Sequence, residues 1–243
     1  MRLPKISIII PYYNAPLMLG RQLQEARQYP GAYEVVIVDD CGSPPAATIV
    51  SANDRVKVYR IQEDIPWNRE GARNLGAVVA VAEWILHVDI DHVLPVRCAE
   101  RLLEHKLRSS RWYRFPRWRV GRADDTRKKD DIPDDQEYGQ IKPHIDSYLC
   151  RKELYWRAGG YNEDYSGCLG GGGPFLKILT REGGTPLLLP PDIYLEVYTR
   201  SQFKDASVAD LSRDKEEFKR RRGKIGVYTK AHNPLRFKWQ RVM

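Results

Sequence analysis

Trp84-Ile85-Leu86-His87-Val88-Asp89-Ile90-Asp91 is an apolar run that ends in two carboxylates one residue apart. In an extended chain the side chains at i and i+2 point to the same face, so Asp89 and Asp91 converge at a strand end. Such oxygen ligands suit a hard divalent cation, Mn2+ or Mg2+, bound together with substrate phosphates. Asp-x-Asp by itself equally describes a solvated turn after a strand, so the neighbouring segments decide its meaning.

Upstream, Ile6 to Ile10 reads as a buried strand that Pro11-Tyr12-Tyr13-Asn14 ends. An amphipathic helix from Ala15 to Tyr29 follows, capped by Asn14 with Pro16 in its first turn. A β-branched strand, Val35 to Val38, ends at Asp39-Asp40 and enters the turn Cys41-Gly42-Ser43-Pro44-Pro45. Val56 to Ile61 predicts a third strand. Ala72, Leu75, Gly76, Val79 and Ala80 recur at helical spacing within Arg69 to Ala82, directly before the strand 84–88. This order of elements, with continuous apolar strands, predicts an α/β domain whose mostly parallel sheet is flanked by helices. Three strands end in polar groups: Tyr13 and Asn14, Asp39 and Asp40, Asp89 and Asp91. Ligands of open α/β sheets bind beyond the carboxyl ends of the strands, so these groups are expected to face one cleft. Neither Gly-x-Gly-x-x-Gly after the first strand nor Gly-x-x-x-x-Gly-Lys-Ser/Thr anywhere is present, which disfavours dinucleotide oxidoreductases and P-loop enzymes.

Downstream, a helix is expected from Val96 to Leu107, and residues 122–137 read as an exposed, charged loop. Between them, Arg111-Trp112-Tyr113-Arg114-Phe115-Pro116-Arg117-Trp118-Arg119 alternates bases with aromatics. Two readings fit that stretch: a nucleic-acid or sugar-stacking surface, or a strand with aromatics buried on one face and arginine exposed on the other.

With 42% hydrophobic and 30% charged residues over 243 positions, the composition is that of an ordinary globular protein. The four cysteines are scattered and predict reduced thiols. No apolar run approaches the ~20 residues needed to span a bilayer, and the N-terminus lacks a signal-peptide pattern, so the expected location is cytoplasmic. Arg200 to Met243 holds thirteen Lys/Arg against five Asp/Glu, which leaves twenty-seven against twenty-seven in residues 1–199 and places the whole +8 excess in the tail. The expected organisation is a catalytic domain, 1–199, with a basic extension, 200–243, packed on or flanking it. That extension suits nucleic acid, the periphery of an anionic membrane or an acidic acceptor, and also a merely solvated helix face.

These motifs together resemble the GT-A-fold glycosyltransferases, in particular the large inverting family-2 type. The resemblance runs from Ile6 to about Phe175. It rests on Ile8-Ile9-Ile10-Pro11-Tyr12-Tyr13-Asn14, Glu34-Val35-Val36-Ile37-Val38-Asp39-Asp40, Gly71-Ala72-Arg73-Asn74-Leu75-Gly76, the opening run, and Gly159-Gly160-Tyr161-Asn162-Glu163-Asp164. It implies a nucleotide diphosphate sugar donor, with Tyr13 beside Pro11 stacking on the base, Asp39 or Asp40 at base or ribose, and Arg73 at base or phosphate. It further implies Asp89 toward the ribose and Asp91 on a Mn2+ or Mg2+ that bridges the diphosphate. His232 would be a third metal ligand, as a late histidine is in some relatives.

One part of the family pattern is missing. The acidic pair that supplies the general base is replaced by Gly172-Gly173 within Gly170-Gly171-Gly172-Gly173, and glycine cannot take a proton from an acceptor hydroxyl. Asp164 or Glu163 can supply the base instead. Alternatively the configuration is retained, with the leaving phosphate accepting the proton, or transfer has been lost. The expected activity is therefore metal-dependent transfer of a hexose, UDP-linked, to a hydroxyl of a glycan or a modified nucleic-acid base. The rival is a non-catalytic module that binds a nucleotide sugar or nucleic acid.

Overall fold

The computed structural model describes residues 3–52, 55–65, 68–119, 139–166, 171–198 and 234–243. Four strands form the parallel heart of the molecule: β1 (Ile6–Tyr12), β2 (Tyr33–Asp39), β3 (Val56–Ile61) and β4 (Trp84–His87). The parallel pairs are β1 with β2, β2 with β3 and β1 with β4, in the registers Ile6↔Tyr33, Val35↔Val56 and Ile6↔Trp84. Helices α1 (Pro16–Ala26) and α2 (Arg69–Val79) make the crossovers. The strands are apolar along both faces because helices cover both: Ile8, Ile10, Ile37 and Leu86 join the α1 side of the core, and Val36, Val38, Ala72 and Leu75 the α2 side.

The rest of the chain completes two sheets. It comprises β5 (His92–Val93), α3 (Val96–Glu104), β6 (Tyr113–Arg114), β7 (Arg117–Arg119), β8 (Gly139–Ile141), β9 (Tyr148–Arg151), α4 (Lys152–Arg157), α5 (Gly172–Gly183), β10 (Leu187–Leu188), β11 (Leu195–Val197) and β12 (Trp239–Arg241). The main sheet has the order β10-β6-β9-β4-β1-β2-β3-β12, and a second sheet has the order β5-β11-β7-β8. The antiparallel β9 pairs with β4 and β6 and steers the chain toward the second sheet, which begins one residue after Asp91. At the opposite edge β12 pairs antiparallel with β3, so the end of the basic tail is built into the main sheet.

Local differences from the sequence reading have physical causes. β1 does not stop at Pro11 but runs through it to Tyr12. Pairing with β4 ends at Ile9, so beyond it the ladder on that side no longer needs the N–H that proline lacks. Asn14 does not cap α1: it has φ 48° and its Oδ1 accepts from Ser43 N–H at 2.6 Å, tying the β1 end to the turn after β2. The helix predicted over Arg69 to Ala82 ends at Val79, because Ala80 turns extended with ψ 133°. α3 closes at Glu104 rather than Leu107, where His105 becomes extended. No described helix is long and apolar enough to cross a membrane.

Candidate functional site

The carboxyl ends of β1, β2 and β4 open on one side of the main sheet. Tyr13 lies half-buried there, its hydroxyl pKa raised by burial and by the nearby carboxylates of Asp64 and Asp40. Asp39 and Asp40 differ sharply. Asp39 is fully buried and accepts from Gly42 N–H at 2.7 Å, Ala46 N–H at 2.9 Å and Arg60 at 2.5 Å, so it builds the loop after β2. Asp40 keeps one oxygen, Oδ1, without a partner, and burial pushes its carboxyl well above the ordinary range against hydrogen bonds from Asn68.

A ladder of alternating charge links α2 to the end of β4. Arg69 reaches Asp146 Oδ2 at 2.7 Å, Arg73 lies 3.2 Å from Asp146 Oδ1, and Arg73 also donates to Asp89 Oδ1. Arg73 is fully buried over the Tyr161 ring, with its guanidinium carbon 5.4 Å from the ring centroid. Burial opposes ionisation of Asp89, but Arg73, His144 and His92 overcome it and hold the carboxyl well below the usual carboxylate range. Asp89 is thus a fixed anion, oriented before any ligand arrives.

Two histidines flank the carboxylate pair. His144, in the turn before β9, brings Nδ1 to 3.1 Å from Asp89 Oδ2, and its ring stacks on that of His92 with centroids 4.9 Å apart. His92 Nδ1 lies 2.9 Å from Asp91 Oδ1, and its Nε2 lies 2.8 Å from Arg117. Arginine can only donate, so Nε2 accepts and Nδ1 carries the proton toward Asp91. Ligand atoms of Asp89, His92 and His144 all lie within 4.8 Å of one another. A donor set of carboxylate and imidazole fits a first-row divalent ion such as Mn2+ better than Mg2+, which prefers oxygen alone. His232, the third ligand anticipated from sequence, lies outside the described residues.

The two carboxylates considered as bases occupy different settings. Glu163 is buried, and both oxygens are engaged: Oε1 accepts from Asn74 and from Leu235 N–H at 2.8 Å each, and Oε2 from Arg236 N–H at 3.3 Å. It therefore clasps the C-terminal segment. Asp164 is exposed and pairs with Arg236 at 2.5 Å. Of the two glycines in place of the acidic pair, Gly172 has a packing role, as does Gly171 before it, and Gly173 does not. A Cβ on Gly171 would sit 2.4 Å from Glu70 Oε1 and one on Gly172 would sit 2.2 Å from Asp146 Oδ1, whereas Gly173 faces open space. Carboxylates reaching across from α2 and from the turn before β9 thus fill the volume that side chains at 171 and 172 would claim.

Sequence reasoning passed over His92, His144, Asp146 and Arg69. His92 was legible as the residue directly after the Asp-x-Asp pair. His144 and Asp146, within Pro143-His144-Ile145-Asp146, carry no local signal, because they meet β4 only through the antiparallel return of β9.

Comparison with known proteins agrees with this fold. The chain is 29% identical over 104 residues to the succinoglycan biosynthesis protein ExoO of Rhizobium meliloti, covering 42% of this chain and 30% of that protein. It is 37% identical over 91 residues to the validoxylamine A glucosyltransferase of Streptomyces hygroscopicus subsp. limoneus, covering 35% of this chain and 20% of that one. The matched segment is therefore a third or less of either relative. Among solved structures, S. aureus TarS 1-349 with UDP-GlcNAc superposes with a TM-score of 0.61 at 18% identity, covering 89% of this chain and 64% of that one. The mannosyltransferase PcManGT of Pyrobaculum calidifontis, bound to GDP-Man and Mn2+, gives 0.54 at 17% identity, covering 81% and 57%. These likenesses identify the GT-A fold. The family model described as glycosyl transferase family 2 matches residues 7–163, well over half of the chain, and the protein belongs to that family.

Proposed function

We propose that this glycosyltransferase moves a hexose from a nucleoside diphosphate sugar, UDP-linked, to an acceptor hydroxyl, aided by Mn2+ or Mg2+. The observation that carries this reading is the Arg69–Asp146–Arg73–Asp89 ladder, which fixes Asp89 at the strand end beside Asp91 and two imidazoles. TarS was solved with UDP and with UDP-GlcNAc, and PcManGT with GDP-Man and Mn2+, which supports a nucleotide sugar and a divalent ion as ligand classes.

Each residue has a task in that reaction. Tyr13, beside Pro11, stacks on the base, and the unpartnered Oδ1 of Asp40 reads base or ribose while Asp39 holds the loop in place. Arg73 orients Asp89 toward the ribose. Asp91, Asp89 and His144 would hold the metal, and His92 orients Asp91 through its Nδ1 proton. When bound, such an ion supplies charge neutralisation to the departing diphosphate. Asp164, the more exposed of the two candidate carboxylates, takes the proton from the acceptor hydroxyl, and Glu163 holds the adjoining C-terminal segment.

The test is release of nucleoside diphosphate from a panel of nucleotide sugars with Mn2+ and mixed acceptors. Donor turnover that falls by at least ~100-fold in Asp91→Ala, with the fold intact by circular dichroism, supports the enzyme reading. Tight UDP binding without turnover under any condition would instead establish the binding module.

A further inference from the structure

The alternating stretch at β6 and β7 finds no use in donor binding. Aromatic residues Trp112, Tyr113 and Phe115 are buried, and Trp118 packs against the core edge-on to Tyr194. Arg117 and Arg119 take the other face of β7, with Arg114 beside them on β6. Like Arg97 and Arg111, and unlike many other arginines here, they have no carboxylate partner among the described residues. Arg21, Arg60, Arg69, Arg73, Arg101 and Arg151 each meet a carboxylate. Arg114 donates only to Pro143 O at 3.2 Å, and Arg117 donates to Lys142 O at 2.7 Å and to His92 at 2.8 Å. The Nε atoms of Arg114 and Arg119 are buried without any partner.

Among the described residues no carboxylate forms an ion pair with these three cations. Burial pushes the pKa of Arg114 and Arg117 down; for Arg117 the carboxylates of Asp91 and Asp89 act against that push, and the neighbouring Arg114 and Arg119 add to it. Packing three like charges into a half-buried wall costs free energy, and a bound anion offsets that cost. The place of the wall says which anion. His92 stands between it and Asp91, one nitrogen toward each, so the arginines lie one imidazole away from the carboxylates assigned to the donor. Arg117 and Arg119 sit on the second sheet, and Arg114 lies on β6 near the far edge of the main sheet, beyond the donor strands.

We propose that Arg114, Arg117 and Arg119 form a subsite for an anionic group, a phosphate or a carboxylate, carried by the acceptor. The assignment to the acceptor rests on the glycosyl-transfer reading above. The anion is a substituent of the acceptor and not its attacking hydroxyl, because guanidinium groups donate hydrogen bonds and cannot take a proton.

The test measures binding of glucose 6-phosphate, glucuronate and glucose by calorimetry, with the protein free and then saturated with UDP and Mn2+. The charged probes should bind at least ~10-fold more tightly than glucose, an advantage that shrinks with added salt. Arg114→Gln and Arg119→Gln should each remove most of that advantage, and Arg119→Lys should keep part of it. A phosphate over carboxylate preference, or the reverse, names the source of the anion. Equal affinity for all three probes, or a preference that survives both glutamine variants, overturns the proposal. Failure of the donor reading has a separate signature, absence of UDP binding in the same titrations, and it leaves the probe comparison readable. Anion binding that occurs only in the free protein and disappears when UDP saturates it would place the anion at the donor site and also overturn the subsite.

Discussion

The two halves of the site are built on opposite electrostatic terms. On the donor side, at the ends of β1, β2 and β4, buried charges are matched apart from Asp40: Asp39 with Arg60, and Arg69, Asp146, Arg73 and Asp89 in alternation. Around β6 and β7, Arg114 and Arg117 donate only to carbonyls and an imidazole, Arg119 keeps its Nε unpartnered, and α5 opens with glycines. A matched network is costly to assemble piecemeal but rigid once complete, which suits a ligand class common to a whole family. An unmatched wall waits for its ligand, which suits the part of the reaction that differs from one relative to the next. On the proposed function, donor recognition is preorganised here and acceptor recognition is left to complementarity.

The matched side breaks most severely at its centre. Arg73→Met should destabilise the fold by ~3–5 kcal/mol, since it removes the buried cation shared by Asp89 and Asp146 and leaves Asp146 with Arg69 alone and Asp89 with only the two histidines. Urea titration reads this, and a loss under ~1 kcal/mol would mean the ladder is not a cooperative unit. Next in size is Gly172→Ala, whose Cβ would stand 2.2 Å from Asp146 Oδ1. It should cost about 1–3 kcal/mol through overpacking. Gly173→Ala, facing open space, should be neutral or better because alanine favours helix. Equal melting temperatures for the two alanine variants would remove the steric account.

A smaller effect should follow from Glu163→Gln. The amide retains one acceptor for Leu235 N–H but loses the charge-assisted bonds, at a cost of about 1 kcal/mol. Faster limited proteolysis of the last ten residues would report the loosened clasp, and unchanged cleavage would count against it. The smallest effect sharpens the comparison through pH. The Asp40 carboxyl is raised when folded, so it carries no penalty below the ordinary value of about 3.9 and an increasing one as pH rises above it. Asp40→Asn should therefore gain stability relative to the parent between pH 4 and pH 7. Parallel stability curves for the two proteins would show that Asp40 titrates normally.

How much of this was legible in sequence follows from distance along the chain. The parallel strands, their order and the polar groups at their ends were readable because each signal is local: a β-branched run, a turn, a helical period. The resemblance implied Arg73 at base or phosphate and Asp89 toward the ribose, but not that the two pair with each other, a contact set by the β4–β1 and α2–β1 packing. His144 and Asp146 were not readable, since they reach the site only once β9 returns antiparallel to β4. The role of Asn14 was misread because a helix cap and a loop clamp call for the same residue type, and only its φ of 48° decides between them. The stretch 111–119 is not the single strand of the plainer reading but two short ones in different sheets, with Trp112, Tyr113 and Phe115 buried as expected and the arginines half-buried rather than exposed. The arginine face became informative only when its partners could be counted.

The contact between Gly172 and Asp146 also bears on re-engineering. A side chain at 172 requires Asp146 to move, so an acid installed there calls for a compensating change at Asp146, whereas position 173 faces open space and takes one without it.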